Sequence, residues 1–87
     1  MKINGTFILR EVVGENVLIP AGETALKLNG IVSLNPVGAC IWKGLEAGKE
    51  REALLEDVLE EFDVTREEAD ADLEEFLELL KKREFLV

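Results

Sequence analysis

The chain has 87 residues, 47% of them apolar and 33% charged, a balance that predicts one small globular domain over residues 1–87 with a modest core. Its 19 acids against 10 bases give a formal net charge of -9, which repels nucleic-acid phosphate and anionic lipid. Such a surface favours a basic partner segment or simply keeps the protein solvated. No run approaches the ~20 apolar residues of a membrane span, Met1 to Gly5 lacks the pattern of a secretory signal, and Cys40 is the only cysteine, so a cytoplasmic protein without internal disulfides is expected.

In chain order, Phe7 to Val13 and Val17 to Ile19 are rich in β-branched and aromatic residues, and Gly14, Glu15 and Asn16 supply turn chemistry between them, which predicts an antiparallel hairpin. Pro20 and Gly22 break the second strand. Leu26 and Leu28 alternate with Lys27, as in an extended segment. Asn29 and Gly30 then make a tight-turn dipeptide that either closes a second hairpin or bulges one strand. Ile31 to Leu34 form a further short extended run.

Asn35 before Pro36 is a helix start, because Asn accepts from free amides of the first turn and Pro has no amide to leave unpaired. Val37, Ile41 and Leu45 share one face of this first helix, with Cys40 and Trp42 beside it, and Gly44 and Gly48 weaken its end. A second helix from about Glu50 places Leu55, Val58, Leu59 and Phe62 inward and Glu56, Asp57, Glu60 and Glu61 outward. Thr65 with Glu68 predicts a capping box for a third helix. Ala69, Leu73, Phe76, Leu77 and Leu80 form its buried stripe, and Lys81, Lys82 and Arg83 complement the dipole at its end. Phe85, Leu86 and Val87 are expected to dock as a short tail. The fold class is therefore α+β and winged-helix-like, a small N-terminal antiparallel sheet followed by three helices.

The inventory argues against catalysis, since the chain has no His, no Tyr, one Ser and one Cys. Cys40 lies among apolar neighbours with no imidazole to activate it and reads as a small core hydrophobe. Asp70, Glu74 and Glu78 stand at four-residue steps, where a hard cation could bind in principle, but no segment has the ligand order of a calcium loop, and an ordinary solvated face is the competing reading. No metal or cofactor is expected. A DNA-reading winged helix conflicts with the acids at Glu67, Glu68, Asp70, Asp72, Glu74, Glu75 and Glu78.

The segment from Leu34 through Asn35, Pro36, Gly38, Trp42 and Leu45, together with Phe62-Asp63-Val64-Thr65 and the helix through Ala69, Asp72, Leu73, Phe76, Leu77 and Leu80, resembles the PqqD family, and the resemblance reaches back to the hairpin. Pro36-Val37 departs from the polar helix start common in that family, and Glu84 stands where relatives often have Gly.

The resemblance implies a recognition element for the leader of a ribosomally made precursor peptide, which adds a strand to the sheet edge and is presented to a radical S-adenosylmethionine or other modifying enzyme. Carried over by position, Ile31, Val32, Ser33 and Leu34 form the receiving strand, with Leu26 to Leu28 as the competing assignment. Asp70, Leu73, Leu77 and Lys81 line the cleft on the third helix, though Leu73 and Leu77 also fit plain packing. The alternatives are a protein-interaction or regulatory winged-helix domain working through the acidic helix, and a nucleic-acid-binding one.

Overall fold

A computed structural model describes residues 1–28 and 30–87. Two strands, β1 (Phe7–Val12) and β2 (Glu15–Pro20), form the expected hairpin, but its loop is the two-residue Val13-Gly14, so Glu15 and Asn16 belong to the strand. Both loop residues have positive φ, 49° and 79°, as a tight hairpin turn matching the strand twist requires. Strand β3 (Val32–Leu34) pairs antiparallel with β2, giving a sheet of order β1-β2-β3. Leu9, Leu18 and Val32 stand opposite one another across the three strands and face the core, while Ser33 beside Val17 turns outward.

The extended reading of Leu26 to Leu28 is corrected. Thr24–Lys27 forms a single helical turn, α1, in which Thr24, Ala25 and Leu26 donate to the carbonyls of Ala21, Gly22 and Glu23, and Leu28 donates to Thr24. Thr24 Oγ1 also accepts the amide of Thr6 at 2.8 Å, which fastens the turn to the start of β1. Local satisfaction of the backbone outweighs the two-residue alternation, and Leu26 is left exposed. The turn assigned to Asn29 and Gly30 includes a residue outside those described.

The three helices expected from sequence follow as α2 (Pro36–Glu46), α3 (Arg51–Glu61) and α4 (Arg66–Lys82). Asn35 Oδ1 accepts the amide of Gly38 at 2.7 Å, and Thr65 with Glu68 makes both bonds of the capping box. The core gathers Leu18, Ile41, Leu54, Val58, Ala69, Leu73 and Leu80, all fully buried. Trp42 packs edge-on against Phe7 at 5.3 Å, and Phe85 lies 4.5 Å from the same ring, so one phenylalanine of β1 joins the sheet, α2 and the C-terminal tail.

The tail docks as expected. Lys2 and Val87 exchange two backbone hydrogen bonds of 2.8 Å, and Ile3 bridges Leu86. Before it, Glu84 donates to Lys81 and Phe85 to Leu80, the paired bonds of a Schellman stop, with Glu84 at φ 62°. No helix among the described residues is long and apolar enough to cross a membrane.

Candidate functional site

The sheet ends at β3, whose backbone pairs with β2 on one side and makes no other backbone hydrogen bond among the described residues. Such an edge presents amides and carbonyls that a further strand can satisfy. Beside it runs a cleft of about 620 Å³ between the β3–α2 segment and α4. Ser33, Leu34, Asn35, Val37, Gly38 and Ile41 form one wall; Asp72, Glu75, Phe76, Glu78, Leu79 and Lys82 form the other.

Local sequence places each wall. The Asn35 cap and Pro36 turn the chain from β3 straight into α2, so strand edge and helix start are contiguous. Gly38 has no side chain, and a Cβ there would stand 3.3 Å from Phe76 Cε1, so α2 and α4 approach closely at the cleft floor. The floor is apolar and the α4 rim is polar. Leu79 is 37% exposed, an apolar side chain open to a ligand.

The sequence-predicted residues divide sharply. Ser33 and Leu34 border the cleft, and Val32 and Leu34 send their side chains into the core, so their backbones form the edge while the side chains secure it. Ile31 precedes the strand and is 60% exposed. On α4 the predicted face is turned away: Leu73 and Leu77 are core residues, Asp70 accepts from Arg51 at 2.9 Å, and Lys81 is exposed off the cleft lining.

The face on the cleft, Asp72, Glu75, Phe76, Glu78, Leu79 and Lys82, was legible in one respect. Leu79 is an apolar residue off the predicted buried stripe, three residues from Phe76, which was expected within that stripe and is only partly buried.

Asp70, Glu74 and Glu78 do not converge. Arg51 spans Asp70 and Glu74 at 2.9 and 3.0 Å, and these bonds raise its pKa, while Glu78 belongs to the cleft. No group of three or more potential metal-ligating side chains occurs among the described residues. A second depression, near Cys40, is lined by charges already paired in part, with Lys49 and Asp57 2.7 Å apart.

Residues 15–86 match the family described as Coenzyme PQQ synthesis protein D (PqqD). The chain belongs to the PqqD family. Among solved structures, this PqqD-family chain is similar to TbiB1 in complex with the TbiA(beta) leader peptide, with 30% sequence identity, a TM-score of 0.76, and coverage of 99% of this chain and 94% of that one. No curated protein matches it by sequence. The two departures from the PqqD pattern are both accommodated: Pro36 opens α2 behind the Asn35 cap, and Glu84 takes the left-handed conformation that a glycine adopts without strain.

Proposed function

We propose that this PqqD-family protein binds the leader of a ribosomally made precursor peptide and presents it to a modifying enzyme, a radical S-adenosylmethionine enzyme or another tailoring enzyme that supplies the chemistry. The observation that carries the reading is the edge of β3, which has no further backbone partner among the described residues, running alongside a cleft with an apolar floor and a polar rim. Backbone pairing along Ile31 to Leu34 gives affinity whatever the peptide sequence, and side chains on one face of the added strand enter the cleft and give selectivity. The likeness to TbiB1, whose structure was solved with a leader peptide, supports the same use of the fold. The cleft offers carboxylates, one lysine and a lone serine hydroxyl, with no imidazole beside them, which suits holding a peptide more than transforming it.

Calorimetric titration with synthetic peptides covering the short reading frames beside the gene, each against its scrambled control, tests the proposal. Saturable, sequence-dependent binding is expected. N-methylation of single backbone amides should weaken that binding at alternate residues, because only every second amide of an added strand faces β3. Failure of every peptide overturns the reading. Tight binding indifferent to N-methylation overturns strand addition.

A further inference from the structure

The acids of α4 fall into two groups that the fold treats differently. On the side toward α3, Asp70 and Glu74 both accept from the Arg51 guanidinium, so one cation within the chain is shared between them. On the cleft side, Asp72, Glu75 and Glu78 have no ion-pair partner among the described residues, and Lys82 is the one base lining the cleft there. The three acids stand at three-residue steps, about 4.5 Å apart along the helix axis, with Phe76 and Leu79 interleaved.

An extended chain advances roughly 6.6–6.8 Å for every second residue, so a strand beside α4 passes this acidic stretch with about two side chains of one face. Lys and Arg have apolar stems long enough to lie along Phe76 and Leu79 while the charge reaches the rim. We infer that the cleft selects extended peptide segments in which one or two Lys or Arg residues flank the apolar side chains that fill the floor, with Asp72, Glu75 and Glu78 as the selecting residues. The inference rests on the peptide-binding reading and adds the chemical class of the peptide. A second copy of this chain is a poor occupant, because each copy carries a net charge of -9.

The test is selection of a displayed library of random extended peptides on the full chain at low ionic strength, followed by titration of the enriched peptides. The cleft variant Asp72→Asn/Glu75→Gln/Glu78→Gln is compared with Glu15→Gln/Glu46→Gln/Glu67→Gln, which removes equal charge away from the cleft, and with Leu79→Ala. Enriched peptides should combine apolar residues with Lys or Arg. They should lose about tenfold in affinity with the cleft variant, much less with the control, and weaken as salt rises.

Enriched peptides that are neutral or acidic, yet lose affinity with Leu79→Ala, would leave peptide binding standing and overturn the basic-ligand inference. Equal losses in the two charge variants would reduce it to attraction by net charge and overturn it as well. No enrichment, or binding indifferent to both the cleft variant and Leu79→Ala, would sink both readings. Self-association abolished by Leu79→Ala would make a second copy the occupant and overturn the inference.

Discussion

Gly38 of α2 and Phe76 of α4 meet where the cleft floor is formed, and a Cβ on Gly38 would stand only 3.3 Å from the phenylalanine ring and 3.3 Å from Asn35 Oδ1. Alanine here gains roughly 1 kcal/mol of helix propensity but crowds both neighbours. For Gly38→Ala we expect a change in unfolding free energy within about 1 kcal/mol, because these effects oppose each other. Peptide affinity should nonetheless fall several-fold as Phe76 shifts into the cleft. Denaturant melts paired with titration of a binding peptide separate the two effects; unchanged affinity would show that Phe76 does not shape the site.

Leu79 and its neighbours Leu73 and Leu77 should behave oppositely on truncation. Leu73 and Leu77 are 0% and 3% exposed, so alanine at either position removes core packing at a cost of about 2–5 kcal/mol. Leu79 is 37% exposed on the cleft wall, and its truncation should cost less than about 1 kcal/mol while reducing peptide binding tenfold or more. Urea denaturation of the three variants, with peptide titration of those that stay folded, checks the assignment. A Leu79→Ala variant that binds as tightly as the parent would move the site elsewhere.

Much of the fold was legible because its signals are local. The Asn35-Pro36 start, the Thr65–Glu68 capping box and the buried stripe through Ala69, Leu73, Leu77 and Leu80 need no knowledge of distant residues. Features set by contacts between elements were not legible. Gly44 reads as a helix-weakening residue, yet a Cβ there would lie 2.5 Å from buried Leu54 Cδ2, so it is a close-approach point between α2 and α3. How α4 meets the cleft was not legible for the same reason. Spacing alone shows that Asp70, Leu73, Leu77 and Lys81 fall along one side of the helix, but only the positions of β3 and α2 show that Leu73 and Leu77 are buried, that Asp70 and Lys81 are exposed off the cleft lining, and that the Phe76–Leu79 face borders the cleft.

Val13 and Glu84 both occupy left-handed backbone without being glycine, at φ 49° and 62°. The conformation is costly for side-chain-bearing residues, more so for β-branched Val13, whose 98% exposure leaves no packing to offset it. Val13→Asn should stabilise the hairpin by about 0.5–1 kcal/mol, since Asn tolerates this region. Glu84→Gly should gain about 0.5 kcal/mol, the relief of strain being partly cancelled by the freer unfolded chain. Thermal melts of each variant measure the gain, and a loss at either position would contradict the backbone assignment.

Cys40 should be almost inert while the protein is folded. Burial pushes its thiol up to about 12, with the nearby carboxylates of Glu61 and Asp57 acting in the same direction against Lys43. An unfolded cysteine titrates near ~8.5, so at about pH 8 the native chain holds a far smaller thiolate fraction than the unfolded one. Iodoacetamide should modify native protein slowly, with a rate that climbs about tenfold per pH unit through about pH 10 without levelling. The same shift sets a stability slope. Above the unfolded pKa the unfolded chain loses a proton that the native chain keeps, so this contribution to stability is complete below that pKa and declines as pH rises toward the native value. Denaturation at about pH 8 and about pH 10 should show a smaller alkaline loss for Cys40→Ala than for the parent. Equal losses, or rapid alkylation of the folded protein at about pH 8, would mean that the thiol is not held protonated by its surroundings.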